Sequence, residues 1–447
     1  MNYAPVSLAA TGALDLHETG AERYVGHMIN SKSIVAMYVL ALPLAAQAPP
    51  TIPATNPKVR AALDLIKADN AWTMQQEIEL TQIPSPPFKE SKRAAEYKRR
   101  LEALGLRNVR VDSVGNVIAE RSGAGSGPTV VIAGHLDTVF PEGTDVTVKH
   151  DGSKLRAPGI GDDDRGLAVV LAVARAFEKT GLQTNGTVYF VGDVGEEGPG
   201  NLRGMRYLFG KELKGKVDYF ISVDDAGLGI ASRAVGSYRY RVAYKGPGGH
   251  SYGAFGIPNP IHALGRAIAG IADVQVPTTP KTTFNVGVIQ GGTSVNSIAG
   301  EASMEVDMRS EDAKSLAAVD AQVQRILRDA LTAENGRWKG ERAASAQLTL
   351  HIDTIGIRPT GAQADKAPII QTALAAAKAL GFTSSTSASS TDANIPISLG
   401  IPAMRIGGGG NAEGAHSLGE WYDDGPNGYL GPQWAALIVA ALAGVHQ

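Results

Sequence analysis

The sequence predicts an α/β protein: a three-layer domain with a mostly parallel sheet, interrupted by a smaller α+β domain of ferredoxin-like order. Short, wholly apolar and β-branched runs at 129–133, 186–191 and 219–223 are typical of buried parallel strands. An amphipathic helix at 166–179 separates the first two runs, and helices that alternate with buried strands form three layers. Between 235 and 353 the strand patterns instead alternate polar and apolar residues, as half-solvated antiparallel strands do.

The N-terminal part of the larger domain begins with two stretches of helical periodicity, at 57–80 and 90–105. Prolines at 84, 86 and 87 separate them, because no helix continues through such a run. Short strands at 109–111 and 117–118 precede the first buried strand.

The inserted domain begins with the strictly alternating strand 237–245. The elements after it follow the order helix, strand, strand, helix, strand, at 261–273, 283–289, 301–308, 312–334 and 346–352. Helix–strand alternation then resumes, with helix 367–380, a strand near 401–406 and helix 432–444. The predicted organisation is a leader at 1–56, the larger domain in two parts at 57–234 and 354–447, and the inserted domain at 235–353.

Composition excludes several classes of function. Lys and Arg number 42 against 44 Asp and Glu, so no basic excess exists for binding nucleic acid. The 447 residues contain no cysteine, which excludes disulfides, thiolate nucleophiles and cysteine-ligated metals. Any bound metal must therefore be held by His, Asp and Glu.

The N-terminus has the layout of a signal peptide that starts at Met28. Lys32 precedes an apolar run at 34–44, and an A-x-A pattern at 46–48 follows it. The run is shorter than the ~20 residues that span a bilayer. We expect cleavage after Ala48, export to the periplasm or the medium, and no membrane association afterwards.

Acidic residues and histidines recur at the predicted strand ends of the larger domain. The segments are His135-Leu136-Asp137, Asp162-Asp163-Asp164, Glu196-Glu197, Asp224-Asp225 and Ala415-His416-Ser417. Ligands in open α/β sheets sit where parallel strands end, so these side chains should converge. Two histidines and three carboxylates suit a pair of divalent ions with one bridging carboxylate. In the glutamate pair, one residue can ligate metal while its neighbour acts as a base.

A second interpretation comes from Gly249-His250-Ser251-Tyr252-Gly253, which matches the G-x-S-x-G nucleophile elbow of α/β-hydrolases. Ser251, Asp392 and His416 even follow that family's order. The elbow should lead into a helix, however, and the segment 254–260 contains two prolines. It also lies in the inserted domain, away from the carboxylates.

From about residue 60 onward, the five acidic and histidine motifs resemble those of the di-zinc exopeptidase family. That family contains carboxypeptidase G, aminoacylase, acetylornithine deacetylase, succinyl-diaminopimelate desuccinylase and peptidase T. The inserted domain corresponds to the family's lid or dimerisation domain, which implies a homodimer. The resemblance implies hydrolysis of amide bonds in short peptides, with an N-acyl amino acid deacylase as the alternative within the family.

The resemblance also implies two Zn²⁺ ions, for which cobalt or manganese could substitute. One would be held by His135, Asp162 and Asp224, and the other by Asp162, Glu197 and His416. The sequence departs from the family pattern by one residue and has Arg165 where lysine is common, so Asp163 remains an alternative bridging ligand.

The remaining implied roles concern the base and the substrate. Glu196 matches the general base, and Asp137 matches the carboxylate that orients His135. In the lid, His250, Asn296 and Arg309 match positions that meet the substrate, with His250 reaching a partner subunit's site.

Overall fold

The computed structural model describes residues 51–447, so the predicted signal peptide and cleavage site lie outside the described residues. The helices of the first part of the large domain are α1 (Pro57–Ala68), α2 (Asn70–Thr81), α3 (Ser91–Ala103), α4 (Arg165–Thr180) and α5 (Arg203–Tyr207). Its strands are β1 (Arg107–Val111), β2 (Val117–Arg121), β3 (Val130–His135), β4 (Lys149–Asp151), β5 (Lys154–Arg156), β6 (Val188–Asp193), β7 (Tyr219–Val223) and β8 (Ile230–Ala234).

Local sequence signals set the ends of these helices. Asn56 caps α1, since its side-chain oxygen accepts the main-chain N–H of Lys58 at 2.9 Å, and Pro57 occupies the first helical position. The left-handed conformation of Gly181 (φ 62°) ends α4. The long helix predicted at 57–80 is broken at Asp69 into α1 and α2.

The lid, defined here as residues 236–358, follows β8. Its elements are β9 (Gly236–Lys245), β10 (Gly249–His250), α6 (Pro260–Ala272), β11 (Thr282–Gly291), β12 (Ser297–Ile298), β13 (Glu301–Ser310), α7 (Ala313–Arg337), α8 (Glu341–Ser345) and β14 (Thr349–Arg358). The large domain then resumes with β15 (Gly361–Ala362), α9 (Pro368–Ala379), β16 (Thr386–Ser389), α10 (Asn394–Ser398), β17 (Ala403–Ile406), β18 (Asn411–Glu413), β19 (Trp421–Asp423) and α11 (Leu430–Ala443).

A nine-stranded sheet forms the centre of the large domain, in the order β1-β2-β6-β3-β7-β17-β8-β15, with β16 beside β8. The four central strands β6, β3, β7 and β17 are parallel, and antiparallel strands flank them on both sides. One face packs against a core that includes side chains of α1, α4, α9 and α11, and the other packs against α5 and α10. The predicted α/β class with a mostly parallel central sheet is therefore confirmed.

The lid contains a four-stranded antiparallel sheet in the order β11-β13-β9-β14, and α6 and α7 share a core with it. This is the ferredoxin-like order that the sequence predicts. Strand β14 runs to Arg358, beyond the expected end at 352, because it pairs with β9 as far as the Arg358–Ser237 position. A bulge between Thr354 and Gly356 interrupts the alternation of inward and outward side chains along β14. The second half of the strand therefore has no regular pattern in the sequence.

A small sheet that the sequence did not predict, β18-β19-β5-β4, joins the two parts of the large domain. Its strands have three residues each, too few for a periodic pattern. It borders the loop between β18 and β19, which carries His416. Within residues 51–447, the helices are all too short or too polar to cross a membrane.

Candidate metal centre

Three adjacent parallel strands deliver the predicted ligands to one edge of the sheet. Strand β3 ends at His135, β6 leads into Glu196 and Glu197, and β7 leads into Asp224. Helix α4 begins against this edge because Gly166 permits close contact: a Cβ there would lie 2.1 Å from the Val223 carbonyl oxygen. The carboxyl ends of the strands and the start of α4 therefore enclose the site.

Asp162 occupies the centre of the cluster. Its Oδ1 lies 3.0 Å from His135 Nε2, and its Oδ2 lies 3.1 Å from His416 Nε2. The same His416 nitrogen lies 3.0 Å from Glu197 Oε1. Ligand atoms of His135, Asp162 and Glu197 all fall within 4.8 Å of one another. A carboxylate with a different imidazole at each oxygen has the arrangement that a bridging metal ligand requires.

The three consecutive aspartates diverge to three different partners. Asp162 enters the cluster, whereas the buried Asp163 accepts the main-chain N–H groups of His135 and Gly166, each at 3.0 Å. Asp164 is buried and forms an ion pair with Arg93 at 3.0 Å. Of the two candidate bridging residues that the sequence left open, the geometry therefore favours Asp162.

Asp137 differs from its predicted role. His135 Nδ1 lies 3.0 Å from the main-chain oxygen of Asp137 and 3.8 Å from its carboxylate. The carboxylate instead accepts the main-chain N–H groups of Gly195 (2.8 Å), Glu196 (3.1 Å) and Glu197 (2.9 Å). Asp137 thus fixes the imidazole through its main chain. With its side chain it holds the segment between β6 and α5, residues 194–202, here called the glutamate loop.

The remaining predicted acids line the same cavity. Asp224 is 8% exposed and faces this space together with Asp162 and Glu196. Asp225, its neighbour, is held by Arg405 at 3.0 Å. Glu196 forms an ion pair with Arg358, whose Nη1 lies 2.9 Å from Glu196 Oε1.

The electrostatics of the cluster favour bound cations. Burial raises the pKa of Glu197 to about 7 and that of Asp224 to about 7, and nearby acids including Asp162 add to both shifts. Hydrogen bonds to Asp162 and Glu197 raise the pKa of His416 to about 10. Buried carboxylates packed this closely need positive charge beside them, and divalent ions supply it.

Sequence reasoning missed Glu420, which supports the bridging aspartate. Its carboxylate accepts the main-chain N–H groups of Gly159 (2.7 Å), Gly161 (2.8 Å) and Asp162 (3.0 Å). The only sequence signal is its position shortly after His416, and no pattern indicates a contact across more than 250 positions. Arg358 was missed for a different reason, since it belongs to the unpredicted second half of β14.

A cavity of about 910 Å³ separates the acidic cluster from the lid. The lid side carries four arginines, Arg239, Arg241, Arg309 and Arg358. The first three form ion pairs with the lid acids Glu305 and Asp307, and Arg358 forms one with Glu196. Of the predicted substrate-binding residues, Arg309 lines this cavity, and neither His250 nor Asn296 is among its lining residues.

His250 and Asn296 lie close to each other on an exposed part of the lid. Strands β10 and β12 pair His250 with Ser297, and the Ser251 N–H donates to the Asn296 main-chain oxygen at 2.9 Å. Ser251 starts a turn rather than a helix and does not line the cavity that contains His416. The structure therefore does not assemble the predicted serine triad.

The fold and the cluster together define a class of α/β protein in which candidate metal-binding residues lie at the ends of parallel strands, beneath a lid. The chain belongs to peptidase family M20/M25/M40, whose sequence profile matches residues 131–429. The matched range extends from β3 through the whole lid to the residue before α11. The family resemblance noted in the sequence is confirmed.

Two curated relatives come from Bacillus subtilis. The chain is 25% identical over 353 residues to the uncharacterized protein YqjE, a match that covers 74% of this chain and 89% of YqjE. It is 26% identical over 280 residues to N-acetylcysteine deacetylase, covering 58% of this chain and 70% of that enzyme.

Solved structures share the fold. Aminopeptidase PepT from Bacillus cereus matches with a TM-score of 0.66 and 20% identity, covering 86% of this chain and 99% of PepT. Bacillus subtilis YXEP, described as a dinuclear metal binding peptidase from the M20 family, matches with a TM-score of 0.62 and 21% identity, covering 84% and 99%.

Proposed function

We propose that the protein is a dinuclear zinc exopeptidase that hydrolyses amide bonds of short peptides. The observation that carries the proposal is the position of Asp162 between His135 and His416, beside Glu196 and Glu197. Family membership supports a hydrolase, and the donor set supports metal binding.

The donor set fits two zinc ions. Asp162 would bridge them, with His135 and Asp224 completing one site and Glu197 and His416 completing the other. All donors are imidazole nitrogens or carboxylate oxygens, which suit zinc and also accept cobalt or manganese. When bound, such a metal pair polarises the scissile carbonyl and lowers the pKa of water at the site.

The proposed ligands include the carboxylates of Asp162, Asp224 and Glu197, which leaves the carboxylate of Glu196 free to act as the general base. It would take a proton from the attacking water and give it to the leaving amine as the C–N bond breaks. Asp137 contributes by holding the main chain of Glu196 and Glu197 through the N–H groups of both residues.

Deacylation of an N-acyl amino acid is the second candidate. It needs the same metal centre and base, and the relative named N-acetylcysteine deacetylase favours it. The two activities differ in their substrate: the peptidase would bind a short peptide in the cavity beside the lid arginines, and the deacylase would bind an N-acyl amino acid there.

We further propose a homodimer formed through the lid, in which His250 reaches the partner subunit's site. Large apolar side chains near His250 are exposed in the single chain: Tyr252 is 90% exposed and Phe255 70%. Export through the signal peptide remains a proposal, and N-terminal sequencing of the mature protein would test it.

Screening tests the proposed activity. The zinc-loaded protein is assayed against free, N-blocked and C-amidated di- and tripeptides, and against N-acyl amino acids. We expect cleavage of short peptides, loss of turnover with retained zinc in Glu196→Ala, and substantial activity in Ser251→Ala. Cleavage of N-acyl amino acids alone would select the deacylase, and a fully active Glu196→Ala variant would refute the base.

A further inference from the structure

We propose that Arg358 is a positioning residue for the general base: the last residue of lid strand β14 fixes Glu196, so that the docking of the lid sets the alignment of the base. This inference rests on the role of Glu196 in the proposed function. The contact joins the lid to the proposed general base, Glu196, and not to a proposed metal ligand.

Arg358 holds Glu196 at two points. Its Nη1 donates to Glu196 Oε1 at 2.9 Å, and its Nη2 donates to the Glu196 main-chain oxygen. Nη1 also donates to the Ser390 hydroxyl at 3.1 Å. A guanidinium that binds both the carboxylate and the main chain of one residue restricts its side-chain torsions as well as its backbone position.

The pair is buried, with side-chain exposures of 5% for Arg358 and 7% for Glu196. Within residues 51–447, no other cationic side chain forms an ion pair with Glu196. Removing one partner of a buried pair leaves the other charge uncompensated. Neutral replacements of Arg358 should therefore displace the Glu196 carboxylate toward the open cavity, away from its present position.

The surrounding contacts tie β14 to the glutamate loop. The N–H of Ile357, the residue before Arg358, donates to Asn201 Oδ1 at 2.9 Å. From the neighbouring strand β9, Arg239 Nη1 donates to the Gly198 main-chain oxygen at 3.2 Å. The lid thus contacts the loop at Glu196, Gly198 and Asn201, on both sides of the predicted ligand Glu197. A movement that lifts β14 must break these contacts or move the base.

Only one of the two carboxylate oxygens of Glu196 is bound by Arg358, and the other can accept a proton. With Oε1 held by Arg358, Glu196 Oε2 is the oxygen that would accept the proton as a water O–H bond breaks. The same proton then passes to the amine nitrogen as the C–N bond breaks, so the carboxylate returns to its starting state. Arg358 exchanges no proton and acts only through the position of Glu196.

Kinetics of Arg358→Met and Arg358→Lys test this role, with Arg266→Met as the matched control. Arg266 pairs with Glu334 at 3.2 Å within the lid and does not line the cavity. We expect Arg358→Met to lose about 100-fold in kcat, with KM within a few-fold and zinc content unchanged, because a misplaced base costs about that much. Arg358→Lys, which keeps the charge, should recover part of the rate, and added guanidinium should raise the rate of Arg358→Met but not of Arg266→Met.

Three results would overturn the inference: kcat within two-fold of the wild type in Arg358→Met, an effect confined to KM, or a loss that tracks zinc content. Arg358→Lys keeps the test valid if Arg358→Met fails to fold. A different result would refute the proposed function: undiminished turnover in Glu196→Ala. That result would show that Glu196 is not the general base, whatever the role of Arg358.

Discussion

The Asp162 carboxylate and the His416 imidazole meet at 3.1 Å, although the lid separates them in the sequence. Asp162 lies in the first part of the large domain and His416 in the second. Their contact therefore requires both parts to be folded together, and the candidate metal centre depends on the complete large domain.

Replacing Asp162 with Asn should abolish binding of at least one metal. The residue supplies an oxygen to each of two imidazoles, and an amide offers one oxygen and no charge. The loss in metal affinity should exceed the roughly 10–100-fold typical of outer-shell replacements. Metal content by elemental analysis after dialysis measures it.

Asp163→Asn is the matched control for that variant. Asp163 accepts two main-chain N–H groups, so its replacement should lower the free energy of unfolding by about 1–3 kcal/mol while metal remains bound. The reverse pattern, metal lost in Asp163→Asn and kept in Asp162→Asn, would make Asp163 the bridging ligand.

Replacing Glu420 with Gln should weaken metal binding by about 10–100-fold without removing any proposed ligand. Both carboxylate oxygens accept main-chain N–H groups of the Asp162 loop, and the amide group of Gln can replace only one of these acceptors. Titration with zinc against a competing chelator gives the affinity. The exposed Glu413 on β18 supplies the control Glu413→Gln, and equal affinities in the two variants would refute the role of Glu420.

The convergence of ligands could be predicted because it follows from chain topology. A buried strand that ends in His135, and others that lead into Glu196 and Asp224, must deliver these residues to one edge if the strands are parallel. The pattern of apolar runs establishes that geometry without knowledge of any contact. The choice between Asp162 and Asp163 could not be made this way, because it depends on the direction of neighbouring side chains within one loop.

Contacts between distant segments could not be predicted. Glu420 and Arg358 act on residues more than 150 positions away, and neither belongs to a periodic element that the sequence reveals. The sequence links Asp137 to His135, but an aspartate two residues after a histidine does not show whether the main chain or the side chain of the aspartate contacts the imidazole.

Mixing two inactive variants should restore activity if His250 completes the partner's site. Glu196→Ala lacks the base, and His250→Ala lacks the lid histidine, so each homodimer should be inactive. After subunit exchange, a heterodimer combines the intact base of one chain with the intact His250 of the other. Random exchange gives about a quarter of the wild-type activity, because half of the dimers each contain one complete site.

Kinetic assay of the mixture, with size-exclusion chromatography of each variant, provides the measurement. An inactive mixture of dimeric variants would place His250 in the site of its own chain. A fully active monomer would refute the proposal that the protein functions as a dimer.

Glu96 should contribute to stability only above mildly acidic pH. Hydrogen bonds from Arg99 and Arg100 lower the pKa of Glu96 from 4.5 to about 2. Its ionised form is thus favoured in the folded state, and the contribution is complete above pH 4.5 and declines as the pH falls toward 2. Urea unfolding of the metal-free protein should show a smaller loss of stability between pH 5 and 3 in Glu96→Gln than in the wild type; identical pH slopes would contradict the shift.

Asn394 connects both chain crossings between the large domain and the lid. Its Nδ2 donates to the main-chain oxygens of Val235 (2.9 Å) and Pro359 (3.0 Å), which directly flank β9 and β14. The side chain is fully buried, so Asn394→Ala leaves these groups without a partner, at about 1–3 kcal/mol for each. We expect lower stability together with faster hydrogen exchange in the peptides around the two crossings.

The control for Asn394 is Asn335, which forms a comparable pair of bonds inside the lid. Its side chain donates to the Leu348 main-chain oxygen at 3.1 Å and accepts the Leu348 N–H at 2.8 Å. Asn335→Ala should therefore destabilise the lid without faster exchange at the crossings. If the two variants exchange alike in the peptides that span the two crossings, Asn394 does not restrain these crossings. If only Asn394→Ala exchanges faster, and its kcat falls as that of Arg358→Met does, the structure of the two crossings and the position of Glu196 are coupled.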